Sequence, residues 1–187
     1  MSCSSKSGTL FLLIGHSGSG KDSLIKWVLE NWPSNIQAPI VPTRIITRPP
    51  SPETEEFESI SEGKFQDLSK AGVFALQWKS YDIYYGVKAE IEDSLSQGRS
   101  VLVNVSRKIV NETRTRFPNV CVIFIKVPFH ITEARIRARG REEGSDLDER
   151  LERARKNQDF PSADYVVDNS SDLENAGRQL LKILLEN

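Results

Sequence analysis

The sequence predicts an α/β domain: a mostly parallel sheet flanked by helices, with a small α+β insert and an arginine-rich helical corner. Three observations predict it. The apolar runs Thr9–Ile14, Ser100–Val105 and Val120–Val127 are short and continuous, as in strands buried on both faces. The segments between them carry apolar residues at helical spacing, and strand alternating with helix through short loops gives a parallel sheet covered on both sides. From about residue 43 to 87 that alternation breaks into short extended pieces around a single helix.

The first run, Thr9–Ile14, leads into a Gly-rich turn and then a helix over Asp22–Trp32. Leu24, Ile25, Val28, Leu29 and Trp32 recur there at helical spacing, and Pro33 ends the helix because it has no N–H to continue the ladder. In the insert, extended pieces are expected at Glu56–Ile60, Val73–Ser80 and Ile83–Val87, around a helix opened by Ser61. Further helices are expected over about Lys88–Gln97, Arg107–Arg116, Ile131–Arg139, Leu147–Gln158 and Asp172–Leu185, with Ala163–Asp168 as an edge or late strand. Pro49–Pro52 is a loop, since periodic segments resume at once. The expected organisation is a single domain with its core over about 8–42 and 88–187, an insert at 43–87 and a lid at 135–150.

With 25 Lys+Arg against 26 Asp+Glu, the charge balance carries no nucleic-acid or membrane footprint. No run approaches the roughly 20 apolar residues of a membrane span, and the polar start Met1–Gly8 lacks the apolar stretch of a signal peptide. A cytoplasmic protein is expected. Cys3 lies in a polar tail and Cys121 in an apolar run, too far apart in character for a disulfide framework or a metal cage. Oligomeric state, monomer or homodimer, is left open.

Gly15-His16-Ser17-Gly18-Ser19-Gly20-Lys21 fits the pattern G-x-x-x-x-G-K, between a strand and a helix as a phosphate-binding P-loop requires. Glycines let consecutive N–H groups curl around an anion, the helix N-terminus adds partial positive charge, and Lys21 reaches the β- and γ-phosphates. ATP is the expected ligand, with Mg2+ as cofactor. The hydroxyl that ordinarily follows the lysine is displaced by one: Asp22 stands there and Ser23 comes next. A carboxylate is a hard ligand suited to Mg2+, so Asp22 is the candidate metal residue; the other reading is a first-turn acid favoured by the helix dipole. His16, at a variable position of the loop, is read as a spacer.

Two groups of cations complete the candidate site. Thr47-Arg48-Pro49-Pro50 sets a guanidinium on a stiff extended loop, either a bidentate clamp for a second phosphate or a surface charge. Tyr84 and Tyr85 precede Gly86 and offer either two phenol donors to the same group or two core side chains. Arg135, Arg137, Arg139 and Arg141, followed by an acidic loop, Ser145 as the expected cap of the next helix, and Arg150, form the second group. Dense arginine at such a corner suits a lid that neutralises a transferred phosphoryl group, with a salt-laced solvent face as the other reading. The expected partners are ATP and a small phosphorylated acceptor.

Together these residues resemble the guanylate-kinase-like branch of the nucleoside monophosphate kinases. The match runs over Gly15–Lys21, Thr47–Pro50, Phe74–Gly86, Arg135–Arg141, Glu149–Ala154 and Val167–Ala176. The resemblance implies that the insert holds the acceptor, that Arg48 and the Tyr-Gly segment bind its phosphate, and that Arg135, Arg139, Arg141 and Arg150 form a lid over ATP. It also places the closing segment near the adenine, which nominates Asn169 for ATP.

The sequence departs from that pattern where guanine would be read. Ser51 replaces a second arginine, Gln77 an acidic residue, Val87 a hydroxyl, and Asn104-Val105-Ser106 an Asp-x-Asp. A site built to hydrogen-bond such groups discriminates by on the order of 10⁴ in rate when they are left unpaired. Lys21–Leu24 and Val103–Arg107 instead look like the ribose 1,5-bisphosphate phosphokinases of phosphonate catabolism, which make 5-phosphoribosyl diphosphate with ATP. An acceptor with two phosphates and no base implies cations in place of base readers, with Arg44, Asn104 and Arg107 as candidates. A nucleoside monophosphate kinase of altered preference and a non-catalytic interaction module are the alternatives.

Overall fold

The strand predicted first is the most deeply buried part of the chain: every residue of β1 (Leu10–Ile14) is buried. The computed structural model describes residues 7–49, 57–140 and 144–187, without the side chain of Arg139. With β6 (Val101–Asn104), β7 (Val120–Lys126) and β8 (Tyr165–Asp168), β1 makes a four-stranded sheet of order β6-β1-β7-β8. The chain divides into two compact units along β1: the residues up to Leu12 with Pro39–Val120, and Leu13–Ala38 with Cys121–Asn187.

In the second unit, β7 pairs with β8 in parallel, Ile123 opposite Tyr165 through Lys126 opposite Asp168. β8 ends the strand order and exposes Tyr165 and Val166, as an edge strand does. Cys121 is buried in β7, as its apolar setting suggests; Cys3 lies outside the described residues. Helix α1 (Lys21–Glu30) buries Leu24, Ile25 and Val28, but Leu29 is exposed and does not belong to the buried face. The last helix of the chain, Leu173–Glu186, opens on Asp172, whose carboxylate accepts from the Asn175 N–H.

That last helix meets α1 at Gly177, where a Cβ would lie 2.2 Å from the Trp27 ring. A rigid indole has little room to give, so Gly177→Ala is expected to destabilise the fold by about 2–3 kcal/mol, read as a lower midpoint in urea at unchanged slope. The region expected to form a lid falls in α5 (Phe129–Arg139) and α6 (Gly144–Lys156), numbered in chain order. They share a small apolar cluster of Ile136, Leu151 and Ala154, with Phe129 and Leu147 packed against it. Ser145 lies inside α6, one residue past its start at Gly144, and so does not open the helix as expected.

The first unit holds the remaining elements: β2 (Arg44–Ile46), β3 (Phe57–Ser59), α2 (Glu62–Lys70), β4 (Phe74–Ser80), β5 (Ile83–Lys88), α3 (Glu90–Ser96) and α4 (Val110–Arg116); the last helix is therefore α7. The insert strands form a sheet of order β3-β2-β5-β4, parallel only between β2 and β3. Ser61 caps α2 as expected, accepting from the Lys64 N–H. Phe65 of α2, with Ile45 and Phe74, forms the insert's own core. β4 turns into β5 through Tyr81 and Asp82, both at positive φ (51° and 57°), the conformation that matches hairpin twist.

Several elements differ from expectation. β2 is a strand the pattern does not announce, since three residues are too short to show a period. Lys88 belongs to β5, so the next helix begins only at Glu90. Arg107–Ile109 is a 3₁₀ turn ahead of α4, because Ser106 accepts from the Lys108 N–H and tightens the first turn. Among the described residues no helix is long and apolar enough to cross a membrane.

Candidate active site

The loop between β1 and α1 is shaped by two glycines in the left-handed region, Gly18 at φ 79° and Gly20 at φ 84°. A side chain at Gly20 would strike the Asn169 amide at 2.5 Å, so glycine is required there for space as well as for conformation. The Lys21 ammonium curls over the loop and donates to the carbonyls of Gly15 (2.9 Å) and His16 (3.0 Å) and to Ser19 Oγ (3.3 Å). It is thereby fixed over the loop, half-buried. Asp22 and Ser23 are exposed in the first turn of α1.

Several side chains expected at this loop do converge on it. Arg150 of α6 donates to Ser17 Oγ at 3.1 Å. Arg135 of α5 donates to the Asn169 carbonyl at 3.2 Å, and the Asn169 amide donates to the Ser19 carbonyl at 2.8 Å. His16 is more than a spacer: its ring is buried, with Nε2 3.3 Å from the Val127 carbonyl and Nδ1 3.2 Å from the Ser17 carbonyl. Arg141 and the Arg139 side chain lie outside what the structure describes. Thr132, absent from the candidates, forms the floor under Gly18, where a Cβ would sit 3.3 Å from its carbonyl. No motif marks it; only the packing of α5 does.

In the first unit, Thr47 and Arg48 are pinned to β5. The Thr47 N–H donates to the Tyr84 carbonyl at 3.1 Å, and Thr47 Oγ1 accepts from the Tyr84 N–H at 2.9 Å. The Arg48 guanidinium lies 5.0 Å from the centre of the Phe57 ring, and its carbonyl accepts from Ser59 Oγ at 2.7 Å. Tyr84 and Tyr85 do not form a pair of donors on one face. Strand alternation sends Tyr84 against Phe65 (5.3 Å) and Tyr85 into a parallel stack on Trp78 (5.2 Å).

At the end of β6, the buried Arg44 donates to the Asn104 carbonyl at 2.9 Å. Arg107 follows three residues on, half-buried, and desolvation pushes its pKa below the ordinary arginine value. The Arg44 guanidinium thus stands at the strand end, and Arg107 opens the turn that follows it. Among the described residues no group of three or more His, Cys, Asp or Glu is placed to hold a metal ion by itself.

The sequence pattern of the guanylate kinase family matches residues 7–187. The chain is 40% identical over 180 residues to the ribose 1,5-bisphosphate phosphokinase PhnN of Acidiphilium cryptum, covering 96% of this chain and 94% of that one. The chain belongs to the guanylate kinase family, and within it to the ribose 1,5-bisphosphate phosphokinases. A ribose 1,5-bisphosphate phosphokinase PhnN of Janthinobacterium sp. is 37% identical over 179 residues, covering 95% of this chain and 39% of that protein. The crystal structure of guanylate kinase from Anaplasma phagocytophilum superposes with a TM-score of 0.70 at 19% identity, covering 97% of this chain and 86% of that one, a likeness of fold.

For a guanylate kinase family member, the residues at the base-reading positions are differently employed. Gln77 is turned to α2, where its Oε1 accepts from Ser69 Oγ at 2.8 Å. Val87 is fully buried, so that position presents no polar atom to a ligand. Ser51 lies outside the described residues. Asn104 and Ser106 support Arg44 and the turn that carries Arg107.

Proposed function

We infer that this protein transfers the γ-phosphoryl group of ATP to the C1 phosphate of ribose 1,5-bisphosphate, yielding 5-phosphoribosyl diphosphate and ADP. The observation that carries the reading is at the end of β6, where Arg44 clasps the Asn104 carbonyl and Arg107 follows three residues on. Two arginines near one strand end suit a second phosphate, whereas the positions that would face a purine hold a committed amide and a buried valine. The activity named for the relatives agrees with it.

The donor phosphates are assigned to the loop Gly15–Gly20, Lys21, Ser23, Arg135 and Arg150, with Asn169 supporting the loop. Arg139 and Arg141 are assigned to the lid. The acceptor is assigned to Arg44, Arg48, Tyr85, Asn104 and Arg107; Tyr84 acts through its backbone, by holding Thr47. An oxygen of the C1 phosphate, anionic at neutral pH, forms the new bond to the γ-phosphorus as the bond to the ADP oxygen breaks, and no proton has to move. Catalysis reduces to alignment and charge neutralisation. Mg2+, which carries one or two carboxylates and keeps most of its coordination for phosphates and water, fits the exposed Asp22 beside Lys21. When bound it would neutralise phosphate charge.

The test is ADP release from ATP and Mg2+ with ribose 1,5-bisphosphate, GMP, dGMP, AMP and UMP in parallel. The expected preference for the sugar bisphosphate over GMP in kcat/KM is on the order of 10⁴. Faster turnover of GMP would overturn the reading and leave a divergent guanylate kinase.

A further inference from the structure

Asn169 sits where three elements meet in the second unit. Its backbone N–H donates to the Lys126 carbonyl at 2.9 Å, extending the β7–β8 ladder by one residue. Its side chain is 2% exposed and spends an amide hydrogen on the Ser19 carbonyl at 2.8 Å. Its own carbonyl accepts from Arg135 Nη2 at 3.2 Å. That amide is committed to the loop between β1 and α1.

The bond to Ser19 has a consequence for the loop. A trans peptide is a rigid plane with its C=O and N–H on opposite sides, and the chain has no cis peptide among the described residues. Drawing the Ser19 carbonyl toward Asn169 therefore turns the Gly20 N–H the other way. Gly20, at φ 84°, is the N-terminal cap residue of α1, so that N–H belongs to the donors a helix start leaves for an anion. Arg135 stands close to the same residue: its Nη1 lies 3.8 Å from where a Gly20 Cβ would be, on the side that faces the Asn169 amide.

We propose that Asn169 is a positioning residue for the donor nucleotide's β-phosphate, orienting the Gly20 N–H through the Ser19–Gly20 peptide and docking Arg135 beside it. The proposal rests on the reading that the loop binds ATP, and is independent of the acceptor. It makes the distal phosphates, and not the adenosine, the part of the nucleotide that senses residue 169.

The test compares ADP and AMP binding to the full-length wild-type chain and to Asn169→Ala by ligand-observed NMR titration, which reaches weak affinities. With a buried acceptor left unsatisfied, the ADP dissociation constant is expected to rise about tenfold while that of AMP stays within about twofold. A purely structural role would not change the ratio of the two. Equal weakening of both, or no weakening of ADP, would overturn the proposal. A wild-type chain that binds ADP no better than AMP would remove the phosphate-loop reading itself, and the proposal with it. If Asn169→Ala does not fold by circular dichroism, Asn169→Ser, smaller and still polar, carries the same comparison.

Discussion

Lys21→Ala is expected to lower kcat about 10³-fold while weakening ATP binding far less, because the ammonium's value rises as charge develops on the transferred phosphoryl group. The structure explains why no neighbour substitutes. The ammonium is held at one place by the Gly15 and His16 carbonyls and Ser19 Oγ, a grip made of loop oxygens that accept from a compact cation. Arg150 is committed to Ser17 on the same loop and Arg135 to Asn169. Lys21→Arg is expected to recover no more than about tenfold of the loss, since a planar guanidinium cannot sit among those three acceptors as a point charge does. Single-turnover kinetics at saturating ATP checks both. A Lys21→Ala protein within tenfold of wild-type turnover would remove Lys21 from the chemistry.

Arg107→Met is expected to raise the KM for ribose 1,5-bisphosphate about 10²-fold, the loss of charge-assisted hydrogen bonds to one phosphate. Stability should move the other way. Burial lowers the pKa of Arg107, which means folding disfavours its charged form. The unfolded chain then binds that proton more tightly, so the penalty is present at every pH below the lowered folded value and fades only as pH rises past it. Methionine fills similar space without a charge to desolvate. The thermal midpoint of Arg107→Met at pH 7 is therefore expected to be no lower than wild type. An unchanged KM would place the second phosphate elsewhere, and a collapse in stability would make Arg107 a structural residue.

The parts of this protein that the sequence alone determined are those carried by neighbouring residues. The phosphate loop needs only seven consecutive positions and a strand and helix on either side, and Gly18, Gly20 and Lys21 take up the conformations those residue types demand. Ser61 capped the helix it was expected to open, because a cap is decided within one turn, whereas Ser145 did not open its helix. The continuous apolar runs became β1, β6 and β7 because residues apolar on both faces of a strand are stable only inside the sheet.

What the tertiary structure decided are meetings of residues far apart in the chain. Asn169 reaches Ser19 across 150 positions, Arg150 reaches Ser17 across 133, and Arg44 reaches Asn104 across 60. Each depends on which strand lies beside which and in what register, and a linear pattern carries no term for that. Tyr84 and Tyr85 show where the two levels touch. Their alternation followed from strand geometry, but which of them packs on Phe65 and which on Trp78 waited on where α2 and β4 came to rest. Local conformation is set by steric limits within a few residues; a binding site is set by packing, which joins surfaces the chain order keeps apart.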